Sequence, residues 1–167
     1  MDNLNELLIS ASRQGETAVV AELIALNANL NFRDDKGYTP LIIACYNNRL
    51  ETATLLLQSG ADVDAQDNGG NTALMGASFK GYTEVVALLI SSGADINLQH
   101  GNGGTALMFA AMFGRNEVLK PLLSHHADIH LVDNRGLSVF DLAAQQGNQE
   151  ALDLLHQHAD TSNVKPI

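Results

Sequence analysis

Apolar residues recur along this chain in short clusters at helical spacing, and the clusters themselves recur. Val19, Val20, Leu23 and Ile24 form one, Leu55, Leu56 and Leu57 another, and Val85, Val86, Leu88, Leu89 and Ile90 a third. Residues spaced i, i+3 and i+4 share one stripe of an α-helix, so each cluster predicts an amphipathic helix. Between the clusters lie shorter segments rich in small residues, among them Ala44, Ala77, Ala110 and Ala111. Each is preceded by a Thr or Ser whose hydroxyl can satisfy the free amides of a helix start, and Pro40 sits at a first helical position. Ser138 and Asp141 have capping-box spacing, with Asp in place of the usual Glu. Gly15, Gly81, Gly114 and Gly147, with Asn48 in the same role, end these short helices in a left-handed residue, and Gly60 and Gly93 close the longer apolar ones.

The alternation has a fixed period. Gly37, Gly70, Gly103 and Gly136 are 33 residues apart, as are Thr39, Thr72, Thr105 and Ser138. Leu41, Leu74, Leu107 and Phe140 keep the same frame, and so do Ala44, Ala77, Ala110 and Ala143. Extended backwards, it places Leu8, Ala11 and Gly15 on matching positions, giving five units at 1–33, 34–66, 67–99, 100–132 and 133–164, with a short tail at 165–167. Each unit reads as turn, helix, turn, helix, loop. One helix pair cannot bury its apolar face alone, so such units stack, and stability becomes a sum of unit and nearest-neighbour terms.

The best-matched stretches, Gly37-Tyr-Thr-Pro-Leu-Ile-Ile-Ala44 and Gly60-Ala-Asp62, resemble the ankyrin repeat with its T-P-L-H-x-A run, mid-repeat glycine and terminal G-A-D. The resemblance implies an all-α solenoid of helix-turn-helix units joined by short β-hairpin-like loops, occupying residues 1–164 as one domain. Several positions depart from the pattern. The family's His is replaced throughout, by Ile9, Ile42, Met75, Met108 and Asp141, which exchanges a polar inter-repeat bridge for apolar packing. Leu4 stands where unit one should have its turn glycine, predicting an N-terminal cap without a hairpin. Unit five is one residue short before Ala159-Asp160, which predicts a trimmed last helix or turn, and its Gln145, Gln146, Gln149, Glu150, Asp153 and Gln157 suit a stack ending against water. Pro121 falls inside the second helix of unit four and is expected to kink or delay it.

Composition narrows the function. The chain has 167 residues, 46% of them hydrophobic, with 9 Lys+Arg against 19 Asp+Glu and a net charge of −10. That balance repels phosphate backbones and anionic lipid, so neither nucleic acid nor membrane is an expected partner. No leader or long apolar span is present and Cys45 is the sole cysteine, which together predict a cytoplasmic protein. The histidines, His100, His125, His126, His130, His156 and His158, lie toward the C-terminus at spacings that read as structural or solvent-exposed rather than as a zinc site. A metal-dependent enzyme would have to rest on His125, His126 and His158. Gly101-Asn-Gly-Gly-Thr105 lacks the strand and long helix of a phosphate loop, and Asp67-Asn-Gly-Gly-Asn71 lacks the closing Glu of a calcium loop. Cys45 occupies a buried close-packing slot. No catalytic set can be assembled, and no cofactor is expected.

What remains is binding. The resemblance implies a concave ligand-facing side made of hairpin tips and first-helix ends. There the frame puts Tyr46, Phe79 and Met112 in register, with Tyr38, Lys80 and Phe113 beside them and Asp35 and Asn71 at the tips. A regular Met and aromatic stripe is ordinarily core, but the frame already assigns the core to Leu41, Ile43, Ala44 and their equivalents, leaving these side chains outward. The expectation is a non-enzymatic module, monomeric when free, that docks a protein with an apolar and basic surface. The alternative is a stoichiometric inhibitor or immunity-type protein that neutralises a basic toxin or enzyme.

Overall fold

A computed structural model describes residues 2–162; Met1 and the tail at 165–167 lie outside them. Among the described residues the chain forms ten helices and no strand. They come in pairs: α1 (Asp2–Gln14) with α2 (Thr17–Ala25), α3 (Pro40–Tyr46) with α4 (Leu50–Gln58), and α5 (Ala73–Lys80) with α6 (Thr83–Ser91). α7 (Ala106–Met112) with α8 (Asn116–Ser124) and α9 (Val139–Gln145) with α10 (Gln149–Ser162) complete the stack. First helices pack on first helices and second on second, and the first-helix layer is the tighter one. Ala44, Ala77, Ala110 and Ala143 face one another there, all wholly buried, whereas the second layer must accommodate Leu56, Leu89 and Leu122. Smaller side chains allow closer axes, so the stack bends toward the first helices and that side is concave.

The predicted caps form. The hydroxyls of Thr39, Thr72 and Thr105 accept from the amides of Ile42, Met75 and Met108. Ser138 and Asp141 close a full capping box, and the Ser138 bonds hold the Asp141 carboxyl below its usual value. The hairpin tips of units two, three and five are Asx-type turns. Asp34 Oδ1 accepts from the amides of Lys36 and Tyr38, and Asp67 and Asp133 do the same in their units. His100 takes that place in unit four, its Nδ1 accepting from the Asn102 amide at 2.7 Å.

Unit one has no hairpin, as Leu4 predicted: α1 runs through that position for 13 residues. Pro121 does not delay α8, which has nine residues in the same frame as α2, α4 and α6. Its irregularity lies in the first turn, where Val118 bonds three residues back to Arg115, while Val20, Ala53 and Val86 bond four back in the other units. In unit five it is the turn that is lost and not the helix. α10 is 14 residues long and carries His158 and Ala159 inside the helix, where Gly60, Gly93 and His126 turn the chain at φ 96°, 86° and 65°. Those turns lead into a following unit, and among the described residues none follows α10.

The missing histidine bridge is replaced twice over. Ile9, Ile42, Met75 and Met108 are buried. Separate polar links join the units: Arg49 Nε donates to the Arg13 carbonyl at 3.1 Å, Arg115 Nε to the Phe79 carbonyl at 2.9 Å, and Asn148 Nδ2 to the Ala111 carbonyl at 3.0 Å. A ladder of side-chain oxygens runs along the opposite turns, with Asn31 accepting from the Asp62 amide, Asp64 from Asp95 and Asn97 from Asp128.

Asp64 is the rung with a charge. Partial burial, followed by repulsion from Asp95 and Asp62, raises its carboxyl above the ordinary 3.8 even though the Asp95 amide opposes the shift. A raised folded value means that the ionised form costs stability. That cost is complete above the folded pKa and absent below 3.8. Asn31 and Asn97 fill the same slot in neighbouring units with an acceptor and no charge. Asp64→Asn is therefore expected to stabilise the protein at pH 7 by a few tenths of a kcal/mol after solvent screening, and the gain should disappear in acid. Urea unfolding at the two pH values measures it, and a destabilised variant at pH 7 would count against the argument.

Candidate functional site

The ends of α3, α5 and α7 carry a continuous aromatic ladder. The rings of Tyr46 and Phe79 lie parallel within 5° at 6.5 Å, and Phe113 meets Phe79 edge-on at 4.5 Å and 75°. Lys80 Nζ stands 4.8 Å from the Tyr46 centroid, close enough for a cation–π contact. Tyr46 and Phe113 remain 44% and 43% exposed, an unusual state for rings that could pack inward. The third member is Phe113 and not the register-matched Met112, which is half-buried against the core. Met112 instead borders a second depression with Phe109, His100 and Arg135.

Beside the ladder lies a groove of about 480 Å³ lined by Tyr38, Ile43, Tyr46, Met75, Phe79 and Phe109, with Arg13, Asn47, Asp67 and Asn71 also reaching it. Its floor depends on one residue that sequence reasoning missed. Gly76 lies inside α5, and a Cβ there would stand 3.3 Å from Tyr46 Cδ2. The same frame position holds Ile43, Phe109 and Leu142 in the other units that have a hairpin tip, and Ser10 in the N-terminal unit. Glycine in a helix interior costs about 0.5–1 kcal/mol relative to alanine, so this break in an otherwise bulky series opens the groove at some expense to α5. The signal was legible as the one glycine in that column.

The tips behave differently from the ladder. Asp35 is exposed and Tyr38 half-buried, but Asn71 Nδ2 is held by both oxygens of Asp67 at 3.1 Å. Neighbouring tips are stitched together: Asn68 N–H donates to the Lys36 carbonyl, Gly101 to Gly69 and Asn134 to Asn102. Asn68 and Asn134 add side-chain bonds to the carbonyls of Asp35 and Gly101. Tip asparagines thus order the stack. The carboxylates of Asp34, Asp67 and Asp133 serve their own turns; Arg135 also pairs with Asp133 at 2.8 Å, and the bonds from Leu137 and Arg135 hold the Asp133 carboxyl below its usual value. Glu51, Glu84, Glu117 and Glu150 line the exposed side of the second helices.

The histidines are dispersed. His125 Nδ1 is 2.9 Å from the Pro121 carbonyl, and the His156 ring rests against Phe140 at 5.2 Å. His126, His130 and His158 border a shallow depression, but among the described residues no three of His, Cys, Asp or Glu are grouped so as to hold a metal ion. Burial pushes the Cys45 thiol up to about 12, so it stays protonated at neutral pH and is a poor nucleophile. No helix of the described residues is long and apolar enough to cross a membrane.

Comparison with known proteins gives a consistent picture. A family model described as ankyrin repeats (3 copies) matches residues 7–100 and again 74–165. Among curated proteins the chain is similar to Ankyrin repeat domain-containing protein 49 of Drosophila melanogaster, 37% identical over 57 residues. That alignment covers 34% of this chain and 26% of the relative, so it spans about a quarter of that protein's length.

Proposed function

Because the chain belongs to the ankyrin repeat family, whose members are generally protein-interaction modules, we propose that it acts by binding a protein on its concave face and catalyses nothing itself. The observation that carries this reading is the Tyr46–Phe79–Phe113 ladder, held ring to ring across three units with its outer members over two-fifths exposed. Exposed aromatic clusters beside a groove are the usual anchors of interfaces, where a few such side chains dominate the binding energy. Lys80 and Met112 border the ladder, and Tyr38 and Asp35 extend the surface toward the tips. The net charge of −10 steers the complex toward a partner with basic flanks around the apolar anchor, by raising the encounter rate more than the affinity.

The test is affinity capture from the native organism with wild type and a Tyr46→Ala/Phe79→Ala/Phe113→Ala variant. Truncating two exposed rings and the half-buried Phe79 between them leaves the buried alanine and leucine layers in place, so the variant is expected to fold and to lose the captured protein. Recovery of the same proteins by both folded forms would sink the concave-face reading. Assaying the captured protein's activity with and without this chain then separates a scaffold from an inhibitor.

A further inference from the structure

Of the tips of units two to five, one is built on a group that changes charge near neutral pH. In units two, three and five the first tip residue is Asp34, Asp67 or Asp133, and one carboxylate oxygen accepts from the amides two and four residues on. Unit four has His100 there, and its Nδ1 accepts from the Asn102 amide at 2.7 Å. A second change accompanies the histidine. Four residues on, the other tips have Tyr38, Asn71 and Leu137, but this one has Gly104. A Cβ on Gly104 would stand 3.2 Å from His100 Nε2, and the half-buried imidazole also rests on Phe109, with centroids 5.0 Å apart. Gly104 lacks the left-handed backbone that would itself call for glycine. It makes room for the ring.

The bond to Asn102 exists only for the neutral ring. With Nδ1 accepting, the single ring proton is on Nε2; in the imidazolium both nitrogens carry protons and neither accepts, so turning the ring over cannot restore the bond. An aspartate in the same place stays ionised, and accepting, across the range from about pH 5 to 8 in which histidine changes charge. The charged groups facing the ring are already engaged. Asp133 and Arg135 of the following tip, which share a depression with His100, pair with each other at 2.8 Å. Asp67 of the preceding tip lines the groove on which Phe109 also borders, and its carboxylate is taken by the Gly69 and Asn71 amides and the Asn71 side chain. From α7 and α9 the depression receives Met108, Phe109, Met112 and Leu142, all uncharged.

We propose that the tip of unit four is an acid-sensitive joint of the stack: protonation of His100 releases the Asn102 amide and, through Asn102, loosens the seam between units four and five. Each seam between tips has the same two links. The residue whose amide is held by the first tip side chain offers its carbonyl to the next tip: Lys36 to the Asn68 amide, Gly69 to Gly101 and Asn102 to Asn134. A carboxylate holds the first two of these residues, through Asp34 and Asp67, and only the imidazole holds Asn102. The released ring also borders the depression with Met112 and Arg135, which shares Phe109 with the groove beside the aromatic ladder, so acid reshapes one end of the concave face. That consequence for a partner rests on the concave-face reading above; the acid sensitivity of the seam does not.

Amide exchange followed by NMR on the full chain, with no partner present, tests it. Protection is compared between about pH 8 and pH 5 after correction for the intrinsic effect of pH on exchange, and the His100 ring is titrated in parallel. In wild type the Asn102 and Asn134 amides are expected to lose protection roughly tenfold on acidification, with the midpoint of the ring. The Lys36 and Gly69 amides, which carboxylates hold, should change by less than about twofold. His100→Asp supplies the residue that the other three tips carry, so it should fold and keep Asn102 and Asn134 protected at both pH values. His100→Asn, an acceptor without charge, should do the same, which separates loss of the acceptor from a change of charge. Protection at Asn102 that survives while the ring titrates overturns the proposal, as does a ring that stays neutral to the acid limit or an equal loss in His100→Asp. Failure of the aromatic-ladder variant to lose its captured protein would leave this result standing, so the two readings fail separately.

Discussion

Gly70→Ala is expected to lower stability by about 2–4 kcal/mol, far more than most single changes at a surface turn. Two costs combine. Gly70 has φ 82°, a left-handed conformation that a Cβ disfavours, and its added Cβ would stand 2.8 Å from the backbone nitrogen of Gly101 and 3.2 Å from His100 Cα. Neither neighbour is a flexible side chain that can swing away. Relief requires the tips of units three and four to separate, and that breaks the Gly101 amide bond to the Gly69 carbonyl at 2.9 Å. Gly136 supplies the control: it has φ 77°, and nothing lies within 4 Å of its Cβ position. Gly136→Ala should cost only the left-handed strain, about 1–2 kcal/mol. Urea unfolding of the two variants side by side measures the difference, and equal losses would mean that backbone contact between tips contributes nothing.

That comparison also shows what a repeat sequence discloses. The 33-residue frame identifies which glycines need left-handed backbone, which Thr or Ser caps a helix and which alanines face each other, because each answer depends on a single unit and recurs in the next. It is silent where the answer depends on what lies beside the unit. The letters of Asn68 and Asn134 read as exposed tip residues, yet stacking puts a carbonyl of the neighbouring tip within reach of each. Met112 shares a column with Tyr46 and Phe79, but a column fixes a Cα and not a ring direction, and Phe113 one residue later makes the contact. His158 reads as a turn residue by analogy with His126, although the turn exists to reach a following unit. Gly76 was visible and unread, since a glycine in a helix column has no meaning until the neighbouring Tyr46 ring is seen over it.

Gly76→Leu is accordingly expected to separate binding from folding. Leucine raises intrinsic helix propensity by most of the roughly 1 kcal/mol that glycine forfeits, and Leu142 already fills the equivalent position in unit five, so the variant should be at least as stable as wild type. The tight neighbour is the Tyr46 ring, 3.3 Å from the new Cβ. Being 44% exposed, it can move by the few tenths of an ångström required. Beyond Cβ, the leucine branches occupy the groove between Tyr46, Phe79 and Phe109 and displace whatever side chain a partner inserts there. Affinity for the protein captured on the concave face should fall at least tenfold, about 1.4 kcal/mol, while thermal unfolding stays level or moves up. Gly76→Ala should show the stability gain with a smaller loss of binding, since its methyl reaches only the groove floor. Unchanged affinity in a folded Gly76→Leu protein would mean that the partner rests on the ladder's outer rings alone and that the notch over α5 receives nothing.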